Sequence, residues 1–126
     1  MIDVQKVLSN CELFSGLSTV SLSRIVGRLK PVSFARNVVI CREGEDGDSM
    51  YIIVSGLVTV SSDMGWGQRE LARKGPGEVF GEMALISNDV RSATVRAIED
   101  AECLELDRAG FDELLDGDPA LAQRIA

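Results

Sequence analysis

Eight short strand-like segments between residues 32 and 107 constrain the fold of this chain more than any other feature. Most of them are rich in apolar or β-branched residues, and glycine, proline, asparagine or aspartate marks the turns between them. The segments comprise residues 32–34, 38–41, 49–55, 57–62, 68–74, 79–80, 93–98 and 101–107. Strands that are this short and this closely spaced are typical of a β-sandwich or jelly roll.

The segment 49–55 carries apolar residues at consecutive positions. Met50 and Ile52 alternate with Tyr51 and Ile53, whereas a strand with one face in water alternates apolar with polar residues. We therefore expect both faces of this strand to be covered.

Helical patterns flank the strands. Ser18 is a good N-cap for a helix whose apolar positions recur as far as Leu29, and Pro31 is expected to end it. Beyond residue 107 an apolar stripe begins at Phe111, and Pro119 is expected to begin a last helix. The sequence therefore predicts a mainly β fold with flanking helices, an eight-stranded jelly-roll β-barrel with helices at both ends and a short helix near residue 83.

Length and charge limit what the chain can do. Its 126 residues suit one core, and 45% hydrophobic with 26% charged residues is an ordinary globular balance. The net charge is −7 and basic residues do not cluster, so no direct nucleic-acid contact is expected from this segment. No signal-peptide hydrophobic region and no apolar run of membrane-spanning length is present, so no membrane insertion is expected.

Cysteine and histidine narrow the chemistry further. Cys11, Cys41 and Cys103 are far apart and form no C-x-x-C pair, which favours reduced thiols in a cytoplasmic protein. The chain has no histidine, which excludes Ser–His and Cys–His catalytic pairs and histidine-ligated metal sites. No metal and no catalytic residue is therefore expected.

The segment from Gly81 to Val95 combines three groups that bind a phosphorylated sugar. A glycine lets the backbone approach a ligand, and the helix-forming run that follows, residues 83–86, carries Glu82 in its first turn. The spacer at residues 87–89 leads to Arg91. A helix start and an arginine fork bind phosphate, whereas a carboxylate suits a sugar hydroxyl, so the segment describes a site for a ribose that carries a phosphate.

These residues resemble the phosphate-binding cassette of cyclic nucleotide-binding domains. That family includes regulatory subunits of cAMP-dependent protein kinase, the bacterial catabolite activator protein and cyclic-nucleotide-gated channels. Its pattern, F-G-E-L/M-A-L-L/I, then a spacer and P-R-A/S/T-A-T/S-V, matches residues 80–86 and 91–95, with Val90 in place of the proline. The resemblance implies that Glu82 bonds the ribose 2′-hydroxyl and that Arg91 pairs with the cyclic phosphate.

The resemblance also implies the rest of the site and the organisation of the chain. Main-chain N–H groups of Gly81, Ala84 and Ser92 are expected to complete the phosphate cradle. The implied ligand-binding residues are Gly81, Glu82, Met83, Ala84, Arg91 and Ser92. One domain is expected over residues 1–126, with a helical entry (1–31), a β-roll (32–107) containing the cassette (80–95), and C-terminal helices (108–126) of which the last is cut short.

The implied function is that of a regulatory sensor whose ligand orders the cassette and moves the C-terminal helices. We expect cAMP as the ligand and no separate cofactor. cGMP is the alternative, because the Ser92 hydroxyl suits either the phosphate or a guanine amino group. The effector, a partner protein or an attached domain, is not specified by the sequence.

Three alternatives remain open. The family fold could have lost its ligand and serve as a scaffold or dimerisation domain. A phosphoester-cleaving enzyme is disfavoured, because histidine, a metal cluster and a paired carboxylate near Arg91 are missing from the pattern. The acidic loop at residues 43–48 lacks the ligand spacing of an EF-hand, which favours a solvated turn over a calcium site.

Overall fold

The computed structural model describes residues 2–11, 13–86 and 90–125. Its helices are α1 (Val4–Asn10), α2 (Thr19–Val26), α3 (Met83–Ile86), α4 (Arg108–Gly117) and α5 (Pro119–Ile125). Its strands are β1 (Lys30–Phe34), β2 (Val39–Cys41), β3 (Ser49–Ser55), β4 (Val58–Asp63), β5 (Gln68–Lys74), β6 (Val79–Phe80), β7 (Thr94–Ala97) and β8 (Ala101–Asp107). All eight predicted strands are present, with ends shifted by two residues or fewer. The predicted spacer at residues 87–89 lies outside the described residues.

The strands form two antiparallel sheets, ordered β1-β8-β3-β6 and β2-β7-β4-β5. Strands that follow one another in the chain mostly fall in different sheets, which is the jelly-roll arrangement, so the predicted fold class is confirmed. Within the described residues each sheet pairs internally, and the two face each other as a sandwich instead of closing into a barrel. The sheets meet through one shared apolar cluster, to which Val58 and Val95 of the second sheet and Ile53 and Cys103 of the first contribute.

Strand β3 lies at the centre of the molecule. Met50 and Ile52 are fully buried in a cluster formed with the helices, whereas Tyr51 and Ile53 are buried in the cluster between the sheets. The prediction that both faces of this strand are covered is confirmed. Since side chains alternate along a strand, one segment serves two cores at once.

The boundary between the entry helices and the first strand differs from the prediction. Ser18 is the N-cap of α2 as expected, and its side chain accepts a hydrogen bond from the Ser21 amide at 3.2 Å. The helix ends at Val26 instead of continuing to Leu29, and Pro31 lies within β1. Proline is tolerated there because β1 is an edge strand, paired with β8 alone among the described strands.

Buried and half-buried carboxylates begin both C-terminal helices. Asp107 caps α4 by accepting the Gly110 amide at 2.8 Å. Asp118, 5% exposed, accepts the hydroxyl of Ser21 at 2.5 Å and the Leu121 amide at 3.2 Å. These bonds tie α5 to α2. Of the described helices none is long and apolar enough to cross a membrane, and the longest has ten residues.

Candidate functional site

The main chain of Arg91 is clipped to the acidic loop that follows β2. The Gly44 amide donates to the Arg91 carbonyl at 2.9 Å, and the Arg91 amide donates to the Glu45 carbonyl at 2.8 Å. The loop therefore holds the Arg91 main chain through its own backbone groups. Among the described residues no group of three or more cysteine, aspartate or glutamate side chains is placed to hold a metal ion.

The guanidinium of Arg91 is held as firmly as its backbone. Its Nη1 donates to the Gly81 carbonyl at 3.1 Å and its Nη2 to the Ser49 carbonyl at 2.9 Å. A Cβ added at Gly47 would lie 2.2 Å from the Arg91 Nε, which is closer than non-bonded atoms approach. Any side chain at residue 47 would therefore have to displace the Arg91 guanidinium, a constraint that the turn pattern of this loop did not reveal.

Gly81 satisfies two constraints at the start of the cassette. Its φ of +82° lies in the left-handed region that favours glycine, and a Cβ there would lie 2.6 Å from the Arg91 Nη1. The chain then enters α3, which begins at Met83, so Glu82 precedes the helix and does not lie in its first turn as predicted. The Ala84 amide, an expected phosphate donor, donates to the Gly81 carbonyl at 3.2 Å.

A cavity of about 310 Å³ opens between the cassette and the inner face of the second sheet. All six predicted ligand-binding residues line it: Gly81, Glu82, Met83, Ala84, Arg91 and Ser92. Its volume lies at the lower end of the range of about 300–1,000 Å³ typical of small-molecule sites. The structure therefore brings together, around one hollow, the carboxylate and the guanidinium that the sequence singled out.

The floor of the cavity comes from residues that sequence reasoning missed. Each strand of the second sheet contributes one residue, namely Cys41, Val95, Val60 and Lys74. Cys41 and Val60 both lie directly opposite Val95 in the sheet, so the three form one row across it. The pairing register that aligns them is not a local signal, and an irregularity between Val39 and Cys41 interrupts the alternation of β2.

Two groups beside the cavity have perturbed acidities. Burial raises the pKa of the Cys41 thiol, and the nearby charge of Arg91 opposes this in part. Burial also raises the pKa of Tyr51, and its contacts with Glu105 add to the shift. The Tyr51 ring stacks on Phe80, which lines the cavity, at a centroid distance of 5.0 Å. Both groups are therefore neutral at pH 7 and form a packed wall.

The cassette is connected to the C-terminal helices by a hydrogen bond and by the apolar cluster that Leu85 shares with Phe111 and Leu114. Arg108, the first residue of α4, donates from Nη2 to the carbonyl of Ala84 in α3. Ala84 and Leu85 are buried at 6% and 3% exposure, whereas Met83 is 59% exposed. A charge-assisted hydrogen bond therefore joins α3 directly to α4.

The sequence of the sandwich and cassette matches one family model. The model of the cyclic nucleotide-binding domain matches residues 31–118, more than half of the chain. This chain belongs to the cyclic nucleotide-binding domain family. The resemblance carried by residues 80–95 is thereby confirmed across both sheets and α4.

Relatives of this cyclic nucleotide-binding domain are regulatory proteins of several kinds. A cyclic nucleotide-gated potassium channel of Rhizobium etli is 42% identical over 113 residues, which cover 90% of this chain and 30% of the channel. The regulatory domain of Toxoplasma gondii PKA, solved with cAMP, gives a TM-score of 0.81 at 30% identity, covering 88% of this chain and 42% of that chain. The N-terminal domain of a transcriptional regulator from Streptomyces coelicolor A3(2) gives a TM-score of 0.83 at 28% identity, covering 94% and 84%.

Proposed function

We propose that this cyclic nucleotide-binding domain binds cAMP in the cavity and relays binding to a partner protein or an attached effector. The single observation that carries the proposal is that Arg91 and Glu82 line one cavity. Arg91 pairs with the cyclic phosphate, and Glu82 accepts a hydrogen bond from the ribose 2′-hydroxyl. The apolar floor formed by Val60 and Val95 covers the flat face of the base.

The cassette main chain completes the phosphate contacts in this proposal. The amides of Gly81, Ala84 and Ser92 are the donors. Since the Ala84 amide already donates to the Gly81 carbonyl, ligand binding shares or replaces that bond and changes the turn into α3. Met83 lies exposed at the mouth of the cavity, where its flexible side chain covers the bound ligand.

The signal leaves the site through Arg108. Because this side chain holds the Ala84 carbonyl, a change in α3 alters the position that α4 prefers. A ligand shifts such an equilibrium only when it binds the two arrangements with different affinity. The proposed sensor therefore requires that cAMP bind with different affinity to the arrangements with and without the Arg108–Ala84 contact.

We further propose that residues 1–126 act as a single cytoplasmic domain with no catalytic activity. Buried thiols at Cys41 and Cys103 fit a reducing compartment. The chain has no histidine to serve as a general base. Incubation of cAMP with the protein should leave the nucleotide intact by chromatography, and its consumption would contradict the proposal.

Calorimetry with cAMP and cGMP, on the wild type and on two variants, tests the assignment. Glu82→Ala removes a hydrogen bond to a charged group, about 1.5–3 kcal/mol, and should weaken cAMP binding by about tenfold to a hundredfold. Arg91→Leu leaves the phosphate unpaired at a cost of about 2–5 kcal/mol. Arg96→Leu, on the opposite face of the second sheet, is the matched control and should bind as the wild type does.

Two results would overturn the proposed function. Equal cAMP affinity in the wild type, Glu82→Ala and Arg91→Leu would remove both residues from the site. A flat titration with both nucleotides, together with a concentration-dependent dimer in ultracentrifugation, would favour a scaffold that has lost its ligand.

A further inference from the structure

Lys74 is a third charged side chain on the wall of the cavity, in addition to Arg91 and Glu82. It ends β5 and is half-buried, although the six residues before it in that strand are exposed. In the sheet it lies directly opposite Val58, which is fully buried between the sheets. Residues opposite each other in a sheet share a face, so Lys74 belongs to the inner face.

The ammonium of Lys74 is positioned by the strand that leads into the cassette. Its Nζ donates to the Val79 carbonyl at 2.8 Å. An ammonium carries three donors, so two remain for other acceptors once this bond is made.

The sheet order separates Lys74 from the phosphate end of the cavity. The cavity floor crosses the sheet from Cys41 on β2 to Lys74 on β5. Arg91 lies close enough to the Cys41 thiol for its charge to oppose the rise in the pKa of that thiol, so the guanidinium lies toward the β2 end. Neighbouring strands are about 4.8 Å apart, so the three spacings from β2 to β5 put roughly 14 Å between the backbones of Cys41 and Lys74. A nucleotide anchored by phosphate on Arg91 and by ribose on Glu82 therefore extends its base toward Lys74.

Purine bases differ in what they offer a cation on that edge. Guanine presents two acceptors side by side, O6 and N7, and lysine or arginine is their common protein partner. Adenine presents the N7 acceptor beside the N6 amino group, which is a donor and faces the ammonium unfavourably. We infer that Lys74 is a specificity-determining residue that reads the 6-oxo and N7 edge of the base and shifts the preference of this site from cAMP toward cGMP.

The inference rests on the proposed function and deepens it. It concerns the ratio of the two affinities, and it is independent of which nucleotide binds more tightly in absolute terms. Ser92 lies on the cassette side of the same cavity and would act on the 2-amino group or the phosphate. The two residues are therefore separable by a ligand that has the 6-oxo group and lacks the 2-amino group, which is cyclic IMP.

Calorimetry of cAMP, cGMP and cyclic IMP on the wild type and on Lys74→Met tests the inference. Methionine keeps an unbranched chain against the cavity and removes the donors. We expect about a tenfold loss of affinity for cGMP and cyclic IMP and a change of less than threefold for cAMP. Lys74→Arg should preserve the wild-type ratios, and Arg73→Met, the neighbouring residue on the outer face, should leave all three affinities unchanged. Equal thermal unfolding midpoints confirm that the variants are folded.

Other outcomes separate the possible failures. An equal loss for all three ligands in Lys74→Met would overturn the inference and leave Lys74 as a residue that only positions Val79. A loss for cGMP with no loss for cyclic IMP would overturn it as well, because the 2-amino group would then be the feature read. If the wild type binds none of the three nucleotides, the proposed function itself fails.

Discussion

The two faces of the second sheet are built from the same four strands and have opposite characters. One row across the inner face comprises Cys41, Val95 and Val60 with Ala72 opposite the last. The row beside it on the outer face comprises Val39, Arg96, Thr59 and Arg73. In β4, β5 and β7 the two rows use neighbouring residues, which point to opposite sides of the sheet, whereas in β2 an irregularity between Val39 and Cys41 puts them two residues apart.

The larger hollow is on the outer face, yet the candidate site is on the inner face. The outer groove has a volume of about 470 Å³. Two of its arginines are already engaged with carboxylates, Arg73 with Glu70 at 3.1 Å and Arg42 with Glu45 at 3.9 Å. On the inner face Arg91 is held by carbonyl groups instead, which fix its position without neutralising its charge. We therefore expect the ligand in the smaller hollow, because positioned and uncompensated charge beside apolar walls favours binding more than volume does.

The largest effect on the inner face is expected from a substitution at Gly47, which contacts Arg91. Gly47→Ala places a Cβ against the Arg91 guanidinium and should displace it from its carbonyl partners. We expect cAMP binding to weaken by about tenfold to a hundredfold, the effect of losing a hydrogen bond to a charged group, as measured by calorimetry. Gly117→Ala, at the end of α4, is the control, because no atom lies within 4 Å of the added Cβ and its φ is outside the left-handed region. Unchanged binding in Gly47→Ala would show that the position of Arg91 does not matter.

A pair of neighbouring substitutions compares the two faces directly. Val95→Ala removes a buried side chain from the cavity floor and should lower the free energy of unfolding by about 1.5–3 kcal/mol. Arg96→Ala, on the outer face of the same strand, should change it by less than about 0.5 kcal/mol. Urea denaturation of both variants makes the measurement. Similar losses would mean that the outer face contributes as much packing as the inner one.

Two carboxylates at the starts of α4 and α5 should make the stability of the fold depend on pH. Hydrogen bonds hold the pKa of two carboxyls below the ordinary range, from the Ser21 hydroxyl at Asp118 and from the Gly110 amide at Asp107. Because the folded state favours their charged form, this stabilisation is present above the unfolded pKa, near 4, and is lost as pH falls below it.

Thermal unfolding between pH 7 and pH 3 checks this expectation. The midpoint should fall most steeply below about pH 4, and Asp118→Asn should have a flatter dependence in that range because asparagine can still cap α5 and does not titrate. Ser21→Ala should flatten the dependence too, since the hydroxyl that lowers the Asp118 pKa is gone. A wild-type profile that matches both variants would exclude Asp118 as the cause.

The smallest effect is expected at the ion pair of the outer face. Arg73 and Glu70 are exposed at 59% and 48% of their side chains, and such pairs contribute about 0–1 kcal/mol because water and salt screen them. Glu70→Gln should therefore change the free energy of unfolding by less than about 0.5 kcal/mol in urea denaturation. A larger loss would show that ion pairs on the outer face contribute substantially to the free energy of unfolding.

Local signals in the sequence were sufficient for much of this molecule. The eight strands follow from composition and turn residues. Ser18 caps one helix and Pro119 begins another, as their chemistry predicts. The cassette can be recognised because its residues are close together in the chain. Gly81, Glu82 and Arg91 lie within 11 positions of one another. Their closeness in the chain made the group recognisable, but long-range hydrogen bonds to the backbone of Gly44, Glu45 and Ser49 fix the position of Arg91.

The tertiary structure decided what surrounds those residues. Cys41, Val60, Lys74 and Val95 are far apart in the chain, and they meet because antiparallel pairing sets which of them face each other. Gly47 contacts Arg91 across more than 40 positions, and Arg108 reaches Ala84 from another helix. Such contacts depend on long-range register, which no window of sequence contains, whereas helix caps, turns and the cassette are fixed by interactions between near neighbours.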